Sequence, residues 1–174
     1  MKTILSQPVY RFVILFSLLF VLWYVVYDLW LHPEGSIDQW IIDQTIILST
    51  GLLESMGYVI TTDGNREMAV EGSSGVRIGD NCNAITLIAL FSGFVLAYPG
   101  RLKRKLWFIP AGILLIFFAN VIRISVLAIF ASWSRDWVEF NHTYTFTLLM
   151  YGLIFLMWLW WVEKLSGFQL LKKQ

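Results

Sequence analysis

Apolar residues run nearly unbroken through residues 12–31, 106–131 and 143–162. Each stretch matches the roughly 20 residues that a helix needs to cross a hydrocarbon core. The first carries one charge, Asp28, near its far end, and the second carries only Arg123. The last ends in Trp158, Trp160 and Trp161, which suits an aromatic belt at a membrane interface. A shorter run, residues 84–99, is expected to be a fourth span that borrows residues from its polar flanks. The first stretch is too long for the apolar region of a signal peptide and no small-residue cleavage site follows it, so it is expected to remain as an anchor. The pattern predicts an all-α polytopic membrane protein of about four transmembrane helices, with residues 1–174 forming a single membrane domain.

Residues 36–57 are apolar only in clusters, around Trp40, Ile46 and Leu52, which point in several directions instead of along one stripe. They are read as an outer helix resting on or between the spans and closing at Gly57. Alternating apolar residues on either side of Asp63-Gly64-Asn65-Arg66 then predict a short β-hairpin over residues 58–71. A Gly/Ser stretch leads on to Gly79-Asp80-Asn81-Cys82.

Composition narrows the function classes. The chain is 57% apolar and 14% charged, against about 25% charged in soluble domains. That excludes a disordered chain. A net charge of +1 argues against a basic nucleic-acid binder. One cysteine rules out an intrachain disulfide and a multi-cysteine metal site. There is no Gly-rich phosphate loop, and two widely separated histidines make a poor ligand set, so no cofactor or metal is expected.

The charges also orient the chain. Lys2 and Arg11 precede the first span, Arg101, Lys103, Arg104 and Lys105 separate the second and third, and Lys164, Lys172 and Lys173 follow the fourth. With four crossings all of these fall on one side, which the positive-inside rule makes cytoplasmic. Both termini are then cytoplasmic, and residues 32–82 and 132–142 face outward from the cytoplasmic membrane.

This topology brings three reactive side chains to one depth. Cys82 stands at the outer mouth of the span at 84–99, and His142 immediately precedes the last span. Arg123 lies about 26 Å along its span at about 1.5 Å per residue, just below the outer interface. Each has a plain alternative: a free cysteine as a small buried hydrophobe, an arginine snorkelling to headgroups, a histidine as an interface residue. Against these, Asp80, Asn81 and Asn83 suggest a polar mouth around Cys82. A guanidinium within a span costs roughly 2.5–3.5 kcal/mol on insertion scales and calls for a partner or a function. Asn120, three residues before Arg123, shares its helix face and can brace it. Asp28 is expected to be solvated, His32 to have nothing nearby that recruits it, and Ala89, Gly93 and Ala97 to form a helix-packing face. Together Cys82, Arg123 and His142 fit nucleophilic acyl transfer: a thiol near a cation, a donor for an oxyanion, and an imidazole for proton transfer.

With Cys82, Asn120-x-x-Arg123 and His142 in that order, the chain resembles the exosortase/archaeosortase family. The resemblance runs over about residues 52–149. It includes the Leu-x-x-x-Gly stretch of Leu53 and Gly57, the outer hairpin, the cysteine at a span mouth and the basic loop before the Asn-x-x-Arg span. It implies a polytopic cysteine transpeptidase or protease with Cys82 as nucleophile, Arg123 as stabiliser of thiolate and oxyanion, and His142 as acid and base. Implied substrates are secreted proteins bearing a C-terminal motif, a transmembrane helix and a basic tail; the new C-terminus passes to a lipid or surface-glycan acceptor. Two departures stand out. Many members have about eight spans, and the family's cysteine is commonly followed by a small residue and Gly, where this chain has Asn83 and Ala84. The Gly often found after the histidine is also missing from Thr143-Tyr144-Thr145. The alternative reading is a non-catalytic membrane subunit for assembly or transport, in which Arg123 pairs with a partner's acid.

Overall fold

The computed structural model describes residues 7–64 and 66–168. Lys2, Asn65, Lys172 and Lys173, and the side chain of Asn81, lie outside the described residues.

Helix α1 (Pro8–Glu34) opens on a proline, whose missing N–H is no loss in a first turn, and widens to i→i+5 turns over Tyr24–Leu31. Gly35 ends it in the left-handed conformation, φ +76°, with its N–H on the Leu31 carbonyl at 3.0 Å. Helix α2 (Ser36–Ser55) starts at once on the other side. It closes at Gly57 as the sequence predicts, with the Tyr58 N–H on the Leu53 carbonyl at 3.1 Å. Three antiparallel strands follow, β1 (Ile60–Thr62), β2 (Glu67–Val70) and β3 (Val76–Arg77), with β2 central. Thr61 pairs with Ala69 and Met68 with Val76. The first two strands are the predicted hairpin; β3, two residues long, is too short to show alternation in the sequence. A single 3-10 turn (Asp80–Cys82) leads into α3 (Ile85–Ala97), α4 (Leu102–Ala131) and α5 (Arg135–Leu165).

Helices α1, α4 and α5 are long and apolar enough to cross a membrane. The fourth expected span is shorter than the others: α3 has 13 residues, which is about 20 Å of helix against a core of about 30 Å. It packs among α1, α4 and α5. Helix α2 is 20 residues long, yet Asp38, Asp43 and Glu54 keep it out of the apolar set.

Two sequence expectations are corrected here. Helix α2 does bury one stripe, Asp38, Ile42, Thr45, Ser49 and Leu53, and packs it against α4. The stripe escapes a hydropathy reading because three of its five members are polar. Small side chains let the helices approach closely, and the Ser49 hydroxyl donates to the Val121 carbonyl at 3.2 Å. The Trp-rich end of α5 is not simply an interface belt. Trp161 is fully buried and stacks on Phe108, and Trp158 stacks on Phe94 at 4.4 Å, leaving Trp160 exposed. Of the first span's aromatics, Phe12 and Phe16 meet the Phe94 ring edge-on, while Phe20, Tyr24 and Trp30 are exposed. The small-residue face on α3 is present, with Gly93 turned toward Phe16 of α1.

Two apolar clusters result. One, including Phe91, Val95, Phe108, Ile116, Ile154 and Trp161, ties α3 to α4 and α5. The other, including Ile42, Leu53, Met68, Val76, Ile124 and Leu127, ties α2 and the sheet to the C-terminal half of α4. Cys82 belongs to the second and Ala84 to the first, so the chain passes from one core to the other at the candidate nucleophile.

The closest approach in the first core depends on Gly112 of α4, where an added Cβ would fall 2.3 Å from the Phe91 ring and 2.7 Å from the Met157 methyl. Overpacking of this kind typically costs about 1–3 kcal/mol. That exceeds the gain of about 1 kcal/mol from replacing a helical glycine with alanine. Gly112→Ala is therefore expected to lower the thermal unfolding midpoint of the detergent-solubilised protein; an unchanged or raised midpoint would contradict this packing.

Candidate active site

Cys82 ends the 3-10 turn and is fixed on both sides of its peptide. Its N–H donates to the Gly79 carbonyl at 2.8 Å, and its carbonyl accepts from Asn120 Nδ2 of α4 at 2.8 Å. The Sγ lies 2.9 Å from His142 Nε2 of α5. His142 stands on a widened i→i+5 turn (Asn141–Thr145) near the start of its helix. Wide turns of this kind recur at functional sites. His142 is half-buried, and no second protein partner holds its other ring nitrogen among the described residues. Cysteine and histidine thus form a dyad.

The thiol is less open than a polar mouth would suggest, being only 6% exposed and part of the second core. Of the polar residues expected to surround it, Asp80 is turned away to pair with Arg66 at 2.6 Å, and Asn83 is buried.

Arg123 lies one turn beyond Asn120 and is 7% exposed. Its Nε is buried without a hydrogen-bond partner, as is Asn120 Oδ1. The ion pairs of the described residues are His32–Asp38, Arg66–Asp80 and Arg77–Glu67, so this cation has no carboxylate partner among them. Asn120, three residues before it on α4, holds the Cys82 carbonyl, so Arg123 stands one turn along the helix that fixes the thiol's backbone. An unpaired buried cation is costly unless an anion or acceptor meets it.

A second polar cluster lies on the other side of Cys82, and the sequence reading missed it. Asp38 of α2 is completely buried and accepts from the Tyr27 hydroxyl at 2.6 Å, from the Asn83 amide, and from His32 Nδ1 at 3.1 Å. His32 is therefore recruited after all, by a residue six positions further on across the Gly35 break. The signal available in the sequence was the spacing of Asp38 with Ile42, Thr45, Ser49 and Leu53, visible only if small polar residues count as packing residues. Asp28 is exposed and takes no part.

The model of the transmembrane exosortase family matches residues 4–162. The chain belongs to the transmembrane exosortase family. The match extends beyond the 52–149 stretch that carries the sequence resemblance and takes in α1 and α2, the helices that supply Tyr27, His32 and Asp38. Neither the curated proteins nor the solved structures compared with the chain match it.

In this exosortase the departure at position 84 has a backbone consequence. Ala84 has φ +61°, a left-handed conformation that glycine adopts freely and that costs an L-residue roughly 1–2 kcal/mol. Relief of that strain in Ala84→Gly is offset by lost backbone rigidity and lost methyl burial of similar size, about 1 kcal/mol each. Ala84→Gly is thus expected to stay within about 1 kcal/mol of the native stability, whereas Ala84→Val, with a branched side chain at positive φ in a buried place, is expected to lose more than about 2 kcal/mol. Thermal or denaturant unfolding in detergent micelles checks the order; equal losses for both would remove the strain from the account.

Proposed function

We propose that this exosortase-family protein is a membrane-embedded cysteine transpeptidase or protease. It cleaves the C-terminal sorting signal of secreted proteins at the outer face of the cytoplasmic membrane and transfers the new C-terminus to an acceptor. The observation that carries the reading is the Cys82–His142 contact of 2.9 Å, together with a buried Arg123 on the helix that holds the Cys82 carbonyl and with no carboxylate partner for that arginine among the described residues.

The residues divide the work as follows. His142 Nε2 takes the Cys82 proton as Sγ attacks the scissile carbonyl carbon. The carbonyl oxygen becomes an oxyanion, and Arg123, whose Nε has no partner among the described residues, donates to it. Collapse of the tetrahedral intermediate breaks the C–N bond; His142 returns its proton to the leaving amine, and a thioester to Cys82 remains. An acceptor amine or hydroxyl, from a lipid or a surface glycan, then gives its proton to His142 and attacks the thioester. The thiolate leaves and regains the proton. With water as acceptor the same steps give a protease. Asn120 supports the site by holding the Cys82 carbonyl from α4.

The charge distribution supports the orientation, with Arg101, Lys103, Arg104 and Lys105 at the far end of the α3–α4 pair from Cys82. Both termini are then cytoplasmic, and a substrate's motif reaches Cys82 once its own helix has entered the bilayer.

Cys82→Ala is expected to leave secreted proteins with their hydrophobic, basic-ended tails, seen by mass spectrometry of membrane-protein C-termini in cells carrying either form. Identical C-termini in both, with the secreted proteins detected, would favour the non-catalytic subunit. Removing one oxyanion donor typically costs about 100- to 1,000-fold in rate. Arg123→Ala is accordingly expected to slow tail removal by that order in a pulse–chase of any substrate so identified.

A further inference from the structure

We propose that Asp38 is a positioning residue for Cys82, acting through Asn83. The proposal rests on the reading of Cys82 as nucleophile and His142 as its base. Asn83 follows the thiol directly and is buried with both ends of its amide engaged. Its nitrogen donates to Asp38 Oδ1, and its oxygen accepts the Ile85 N–H at 2.9 Å, the first free donor of α3. That pair of bonds sets the direction in which the chain leaves Cys82 and turns through the left-handed Ala84.

Asp38 is itself held from α1, by the Tyr27 hydroxyl on the same oxygen and by His32 on the other. The next residue of α2 works on the opposite end of the turn. Gln39 accepts from Arg66 Nε at 2.7 Å, and Arg66 donates to Asp80 at 2.6 Å. Two successive residues of α2, Gln39 through Arg66 and Asp38 through Asn83, therefore hold the chain on either side of the thiol, while Asn120 holds the Cys82 carbonyl from α4. No hydrogen bond or ion pair links Asp38 to Cys82 or His142, so its influence on the sulfur is through Asn83 and is geometric. Geometry at this scale matters, since a displacement of about 1 Å can cost about 100-fold in rate.

The test reads the coupling between Cys82 and His142 in the full chain, purified in detergent and checked for fold by helical circular dichroism and monodisperse elution. The probe is iodoacetamide, and the quantity is the rate of Cys82 alkylation with and without His142→Ala. In the otherwise native chain, His142→Ala is expected to slow alkylation at least about tenfold. In an Asp38→Ala background the same change is expected to alter the rate by less than about twofold, because the thiol no longer meets the imidazole. Asn83→Ala, which removes only the link, is expected to abolish the His142 dependence equally, and it decides the matter if Asp38→Ala does not fold. A His142 effect that persists in full in either folded background overturns the positioning role, since a purely structural loss would leave the dyad intact in the molecules that fold. His142→Ala without effect in the native chain is a different failure, that of the nucleophile–base reading itself.

Discussion

A carboxylate withdrawn from water must collect donors, and in this protein Asp38 collects three of them from two other stretches of chain. Tyr27 and His32 come from α1, and Asn83 comes from the turn between sheet and α3. Only Gly35 separates α1 from α2, whereas Asn83 lies 45 positions beyond Asp38, and the two helices differ in character: α1 is long and apolar enough to cross a membrane, and α2 is not. Satisfying one buried acid therefore docks α1 and α2 against the entrance to α3. Everything polar near Cys82 is then placed by exclusion. Asp80 is drawn outward to Arg66, Asn83 inward to Asp38, and the thiol is left between two apolar cores with His142 its one hydrogen-bond partner among the described residues.

How far this was legible from sequence depends on which physical signal each feature leaves. The spans leave a strong one, because a bilayer requires long apolar runs; α1, α4 and α5 follow the hydropathy pattern closely. The convergence of Cys82 and His142 was also legible, since span order and length alone put both at one depth. Gly57 and the hairpin were marked by turn chemistry. The Asp38 cluster was not legible, because hydropathy counts Asp38, Thr45 and Ser49 as solvent-facing when tertiary contacts bury all three. His32 was dismissed for the same reason: its partner lay in a helix whose buried face had been missed. Trp161 erred in the opposite direction, as a residue type common at interfaces that fills an interior gap beside Gly100.

Arg123 and Asn120 present a different kind of incompleteness. Every other buried charge among the described residues has found a counter-charge or donors within the chain, yet Arg123 Nε and Asn120 Oδ1 stand unused one turn apart. One is a donor and the other an acceptor, the complement that a peptide group presents with its carbonyl and its N–H.

The widened turn at Asn141–Thr145 has a consequence for phase. On a regular α-helix, at about 100° per residue, His142 would sit about 60–120° away from Met150, Ile154, Met157 and Trp161, the side chains that α5 buries. One residue taken up by the wide turn cancels that offset, bringing the imidazole to within about 40° of the buried line. The extra residue acts as a phase correction between two demands, a lower helix wound to fill the bundle and an upper end wound to meet a sulfur. Deleting any one of Thr143, Tyr144 and Thr145 would leave α5 as apolar as before, and would rotate the imidazole out of line with the packing face below it. The count of residues there, more than their identity, keeps histidine and cysteine in register.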